Sequence, residues 1–316
     1  MKPGQMITGL ARMQPLPGPA FPGGYDFAFA AWMRGLGLSG FFLGAPSPSE
    51  TRPVLSLREQ ANVYLQTARS SITKRLRAGL PGEGGDIAAA LITGDRSGLS
   101  NETQESLRRS GLAHILAISG LHMALVTLTV IWIARFILVL IPSLANRYPV
   151  KKWAIIIGFV TATLYLFISG ASIATQRAWI MITVMLAASL LDRRAITMRS
   201  VAIAALIILV LSPSSLLQPG FQMSFAAVAA LVAIYRDWSD RKRRLKSQRH
   251  SVQGGVVAKL AGYFGGLGAT SLIAGTATAL IAMWHFHRVA PMGLVSNLIA
   301  MPLVSLFVMP LSLSSM

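Results

Sequence analysis

The chain has 316 residues, 53% of them apolar and only 13% charged, with a mean hydropathy of +0.57. A soluble core of this size has no need of so many long uncharged runs, so an ordinary soluble globular class is excluded and the bilayer is expected to be the solvent for most of the chain. Twenty-nine Lys and Arg against eleven Asp and Glu suit anionic headgroups or nucleic acid without choosing between them, and the lack of cysteine excludes disulfides, thiol chemistry and thiolate metal sites.

The N-terminus, MKPGQMITGLARMQPLPGP, carries Lys2 but no long apolar stretch before its prolines, so it does not read as a secretory signal. Residues 1–56 are rich in Gly and Pro, and within them MITGLARM and LSGFFLGA read as short strands of a partial β-containing region. From Leu57 the pattern turns helical. Ala61, Leu65, Ala68, Ile72, Leu76 and Leu80 recur at helical spacing, while Arg58, Arg69, Lys74, Arg75 and Arg77 occupy much of the remaining face. Such a helix can lie along headgroups or pack on soluble neighbours. A short helix is predicted over Asp86 to Thr93, then a turn at GDRSG, then a helix capped by Ser100 with Glu102 and Glu105 early and Arg108 and Arg109 late, matching the helix dipole. Residues 57–110 thus form a linking region.

From Gly111 the chain reads as seven membrane segments, roughly 113–138, 153–169, 173–191, 199–215, 217–235, 262–284 and 291–313. The fourth is the weakest, since Pro213 interrupts a short run. The expected fold class is therefore an all-α polytopic membrane bundle of about seven transmembrane helices (111–316), preceded by a small partial extracytoplasmic region. Loop charge gives an orientation. The connections after the first, third and fifth spans carry fourteen basic residues, eight of them between Arg236 and Lys259, whereas the opposite short connections carry only Arg288 if Arg177 belongs to a span. The positive-inside rule then puts the loop at 236–261 in the cytoplasm and residues 1–110 outside.

Polar groups inside these segments are the candidate functional residues. His114, Ser119 and His122 fall on one broad side of a helix, His114 and His122 being about 80° apart, and Gly120 is expected to let another backbone approach closely. Interhelical hydrogen bonds, a polar pathway and a metal site all remain open for them. In FISGASIATQRAW, Gly170 and its polar neighbours suggest a broken or re-entrant helix, and Arg177 is expected either to face a protein-lined cavity or to snorkel. QPGFQMSF pairs Gln218 with Gln222 at helical spacing and adds Ser224, and Asn297 lies in the last span. The cluster Arg241, Lys242, Arg243, Arg244 and Lys246 reads as a positive-inside anchor that can also contact a polyanion. His285 and His287 in WHFHRVAPMG form an HxH pair with no following Asp-His, and GYFGGLGAT lacks the Lys-Ser/Thr ending of a phosphate loop. No catalytic, metal or cofactor site is expected, and neither a DNA hydrolase nor an ATP-driven motor.

The runs LRRSGLAHILAISGLHMALV, SGASIATQRAW, PGFQMSFAAVAAL and FHRVAPMGLVSNLIAMPLVSLFVMP closely resemble the membrane-embedded competence region of the ComEC/Rec2 DNA-internalisation family, from about Gly85 onward. The resemblance maps His114, Ser119, Gly120 and His122 onto the first motif; Gly170, Arg177 and Ala178 onto the second; Gly220, Phe221, Gln222, Ser224 and Phe225 onto the third; and Pro291, Asn297 and Pro302 onto the last. It implies an inner-membrane channel component for uptake of single-stranded DNA in natural transformation. The implied partners are single-stranded DNA, anionic phospholipid, an extracytoplasmic DNA receptor and a cytoplasmic DNA-translocating ATPase or single-strand-binding proteins, with a homo-oligomer compatible. Relatives also carry a complete oligonucleotide-binding-like domain and a metallo-β-lactamase-like domain, so the chain is expected to be truncated at both ends. Read from the residues alone, a secondary transporter of a small polar solute or a noncatalytic membrane scaffold stays open beside this.

Overall fold

The computed structural model describes residues 3–19, 22, 24, 26–33, 35–49, 55–80, 82–112, 118–246, 256–287 and 293–303. Both stretches read as strands are strands. β1 (Ile7–Thr8) pairs antiparallel with β4 (Ser47–Pro48), and β2 (Ala11–Pro15) pairs antiparallel with β3 (Leu38–Phe42) in the register Ala11↔Phe42 to Pro15↔Leu38. Between them, α1 (Phe27–Trp32) begins where the Asp26 carboxylate accepts the Phe29 N–H at 2.9 Å, a helix the apolar pattern alone did not predict.

Three helices link this region to the bundle. α2 (Leu57–Gly79) opens with a reciprocal box: the Ser56 N–H donates to the Glu59 carboxylate at 2.8 Å, and the Glu59 N–H donates to Ser56 Oγ at 3.4 Å. α3 (Glu83–Thr93) starts earlier than Asp86, and its uncharged stretch Ala88–Thr93 is fully buried. α4 (Asn101–Arg109) is capped by Ser100, as its sequence predicts. Glu83 fastens the two short helices by accepting the hydroxyls of Thr103 at 2.7 Å and Ser100 at 2.9 Å, which hold its carboxyl below the usual range. Arg77 of α2 adds a 2.7 Å ion pair to Asp86 of α3.

The membrane region follows as α5 (Gly120–Leu140), the short connector α6 (Pro142–Arg147), α7 (Val150–Ile168), α8 (Ile173–Leu190), α9 (Met198–Leu211), α10 (Pro219–Lys246), α11 (Val256–Phe286) and α12 (Gly293–Leu303). Apart from α6, each falls on one of the seven predicted segments. Four described helices are long and apolar enough to cross a bilayer: Gly120–Leu140, Val150–Ile168, Ile173–Leu190 and, within α11, Gly265–Phe286. The structure is an all-α membrane bundle, and large side chains face outward as lipid allows: Trp132 is 69% exposed and Val210 74%.

Several boundaries differ from expectation. The helix α5 begins at Gly120, because Ser119 is extended and caps it; residues 113–117, with His114 and the start expected for the first span, lie outside the described residues. The weak fourth span is a helix of 14 residues, about 21 Å long against a hydrocarbon core of about 30 Å, and a 3-10 turn at Pro213–Leu217 continues it. The region after Tyr235 is not a loop throughout: α10 runs on as helix through Lys246, so the cluster from Arg241 to Lys246 is helical backbone. α12 carries Pro302 inside it, and residues 304–316 lie outside the described residues.

Apolar burial gives little net drive between helices in lipid, so close packing and hydrogen bonds hold the bundle. Ile118, Met123, Val126, Ala162, Tyr165, Leu166 and Ala178 form a buried cluster where α5, α7 and α8 meet. Trp179 Nε1 donates to Thr163 Oγ1 at 3.0 Å between α8 and α7. The tightest approach is at Gly158 of α7, where a Cβ would collide with Ile131 of α5.

Candidate functional site

Consecutive spans pack on one another and alternate in direction, so the starts of α5, α8, α10 and α12 come to the same end as the finishes of α7, α9 and α11. The four motif segments fall in those places. This is the motif end of the bundle, and the finishes of α8 and α10 mark the opposite, basic end.

Ser119 and His122 make the first corner. The Ser119 backbone N–H donates to His122 Nδ1 at 3.2 Å, and the Ser119 hydroxyl lies 3.3 Å from the same nitrogen. An N–H can only donate, so Nδ1 is the acceptor and the neutral ring carries its proton on Nε2. His122 is 1% exposed. Ser119 and His122 therefore do not share a helix face, because Ser119 stands before the helix and binds His122 as a cap; His114 lies outside the described residues. Gly120 does not serve close approach either, since a Cβ there would sit 3.7 Å from Ala178 Cβ, an ordinary contact.

The segment around Gly170 is a tight turn between α7 and α8, not a break within a span. Gly170 has φ +84°, a left-handed conformation that favours glycine, and a Cβ there would come 2.5 Å from Arg69 NH2. Arg69 was expected only on the charged face of α2. Instead its Nε donates to the Ile168 carbonyl at 3.0 Å, NH2 to the Thr93 carbonyl at 2.8 Å, and NH1 to Gln66 Oε1 at 2.9 Å. One guanidinium thus satisfies the carboxyl-terminal carbonyls of two helices, α3 and α7, where the dipole favours a cation. Tyr165 of α7 adds a buried hydroxyl donating to the Leu91 carbonyl at 3.1 Å, and Thr73 and Thr93 share a 2.9 Å bond. The signal for Arg69 was phase: it precedes Thr73 and Leu76, the two buried residues of α2, at helical spacing.

Arg177, in α8, does not snorkel. It is 9% exposed, its Nε has no hydrogen-bond partner, and its terminal nitrogens lie over Gly220 in the first turn of α10. Gln218 lies before the helix and accepts the Gln222 backbone N–H at its carbonyl at 3.2 Å, while the Gln222 side-chain amide donates to the Leu216 carbonyl at 3.0 Å. That fixes the amide so that Oε1 faces His285 Nε2 at 2.9 Å, and the imidazole donates. His285, one half of the HxH pair, thus ties α11 to α10. Phe221 and Phe225 pack with ring centroids 4.5 Å apart, and Ser224 is half-buried one turn beyond Gly220. Asn297 of α12 is half-buried with Oδ1 unpartnered among the described residues. Pro291 and Arg288 lie outside the described residues.

At the basic end, Lys151 and Lys152 of α7 bracket Asp192 at 3.2 and 3.1 Å, and hydrogen bonds from Lys152 and then Lys151 hold the Asp192 carboxyl below the usual range. Arg241, Lys242, Arg243, Arg244 and Lys246 extend α10 at this end. Among the described residues, no group of three His, Asp or Glu is placed to hold a metal ion.

Comparison with known proteins bears out the family resemblance. The family model described as "Competence protein" matches residues 91–316. The chain is 26% identical over 231 residues to ComE operon protein 3 of Bacillus subtilis, covering 73% of this chain and 26% of that protein. It is 28% identical over 224 residues to competence protein ComA of Neisseria gonorrhoeae, covering 69% and 31%. An uncharacterized Escherichia coli protein, YcaI, is 25% identical over 313 residues, covering 99% of this chain and 38% of that one. The chain therefore spans well under half the length of these relatives. No solved structure matches it.

Proposed function

The chain belongs to the competence-protein family, and we propose from that premise that its bundle is part of the passage by which a single DNA strand enters through the bacterial cytoplasmic membrane during transformation. The observation that carries this reading is that the described parts of all four motif segments fall at one end, where Ser119 bonds His122, Gln222 bonds His285, Arg177 is buried and Asn297 half-buried. The description of the family and the name of one relative, competence protein ComA of Neisseria gonorrhoeae, support the same role.

In this reading the motif end faces outward with residues 1–110, and the basic end faces the cytoplasm with anionic phospholipid around it. An extracytoplasmic DNA receptor delivers the strand. The bundle lowers the barrier to a polyanion but supplies no direction, so a cytoplasmic translocating ATPase or single-strand-binding protein draws the strand in. The chain itself acts as a noncatalytic component.

Two measurements test the proposal. In a chain naturally free of cysteine, a membrane-impermeant thiol reagent added to intact cells should label Ser172→Cys and reach Ser247→Cys only after permeabilisation; labelling of Ser247→Cys from outside overturns the orientation. Transformation should fall when the gene is deleted from a competent host and return on complementation. Normal transformation in the deletion strain, or uptake of a small solute without DNA, sinks the DNA reading.

A further inference from the structure

Two positive features of the motif end meet with no carboxylate of a described residue between them. Arg177 lies just over one turn into α8, is 9% exposed, and forms no ion pair with any described residue. Its Nε is buried without a hydrogen-bond partner among the described residues. The other end of the guanidinium points at the first turn of α10, where a Cβ on Gly220 would come 2.9 Å from NH2 and 3.3 Å from NH1. That turn is the amino terminus of a 28-residue helix; Pro219 has no N–H and the Phe221 and Gln222 N–H groups donate to the Gln218 carbonyl at 3.0 and 3.2 Å, which leaves the Gly220 N–H and the positive end of the helix dipole, equivalent to roughly half a charge. A guanidinium stays protonated at neutral pH, so burial against a second positive pole calls for a counter-charge. No described carboxylate supplies one.

We infer that Arg177 and the α10 amino terminus at Gly220 form a buried oxyanion site for one backbone phosphodiester of the entering strand, an inference that rests on the DNA-uptake reading above. The planar fork of the guanidinium matches two oxygens of a phosphodiester, and the Gly220 N–H with the positive end of the helix dipole suits the same group. The bare Cα of Gly220 keeps the arginine and the helix start close enough to share one anion. The Gln222–His285 bond fixes the neighbouring wall between α10 and α11. A strand is favoured over a lipid headgroup because the cation lies between α8 and α10 inside the bundle, whereas headgroups arrive at its perimeter. One phosphate held here grips the strand without reading its bases.

The test is binding of a fluorescent single-stranded oligonucleotide to the purified full chain in phosphatidylcholine nanodiscs, followed across salt concentration. Arg177→Gln should weaken binding about ten-fold and make the slope of log affinity against log salt shallower by about 0.7, the loss of one single-strand phosphate contact. Gly220→Ala keeps the charge, displaces the guanidinium and should weaken binding by a smaller factor. An oligonucleotide with a neutral methylphosphonate backbone should be indifferent to either change. Arg177→Gln that melts like the parent and binds with unchanged affinity and slope overturns the site, leaving the uptake reading to stand on transformation. Phosphatidylglycerol retained by the parent but lost by Arg177→Gln, with strand binding unaltered, assigns the cation to lipid and overturns the site as well. No strand binding by the parent overturns the site and the uptake reading together.

Discussion

The two ends of the bundle use cations in opposite ways. At the basic end they are many and solvated: Lys151 and Lys152 are 55% and 44% exposed around an Asp192 that is itself 60% exposed. At the motif end they are few and enclosed, with Arg69 capping two helix termini and Arg177 buried without an ion pair among the described residues. An exposed cation is screened by water and salt, so its identity matters less than its number. A buried cation requires a specified partner, so its position carries information about contacts.

If that contrast holds, substitutions at the motif end should cost far more than those at the basic end. The largest effect is expected for Arg69→Ala, which strips the Ile168 and Thr93 carbonyls of their charged donor and should lower stability by about 3 kcal/mol. Thermal unfolding in detergent measures it, and faster proteolysis of residues 57–110 should accompany it. An unchanged melting curve would mean that the linking helices dock by other means.

His122→Leu comes next. It removes the acceptor at the Ser119 cap, and it should reduce transformation more than it reduces the yield of folded protein if the ring lines the passage. Full uptake with the leucine would end that assignment, and a collapse of folded yield would make the histidine a packing residue. Ser119→Ala, which removes only the cap hydroxyl, should cost about 1 kcal/mol at most.

Acid is a milder probe. The hydrogen bond from Ser97 is the main cause holding the Asp95 carboxyl below its ordinary range, with the Arg77 and Arg69 charges also lowering it. A depressed folded value means that the stabilisation is present above the unfolded value, about 3.9, and is lost as pH falls through the folded one. The loop between α3 and α4 should therefore keep its protease resistance down to about pH 4 and lose it only in stronger acid. Loss near neutral pH would show that another group controls it. The smallest effect belongs to the basic end: Asp192→Asn leaves two solvated lysines solvated and should leave the melting temperature unchanged. A clear drop there would erase the distinction between the ends.

The membrane class, the seven segment positions, the short strands and the Ser100 cap were legible in the sequence, because each rests on local composition or on spacing within one element. The motif string carried the family for the same reason. The partners of single polar residues were not legible. Ser119 was placed on a helix face because spacing does not reveal where a helix starts, and the start is set by extended backbone at the cap. Arg69 read as one charge among five on an amphipathic helix, since its acceptors, Thr93 and Ile168, lie 24 and 99 residues away. Arg177 was evident as an expensive residue, but that it turns inward onto Gly220 follows from how α8 and α10 pack. Composition and periodicity determined which segments form apolar helices; only the packing of those helices decided which buried polar groups face one another, because hydrogen-bond partners distant in sequence leave no local pattern.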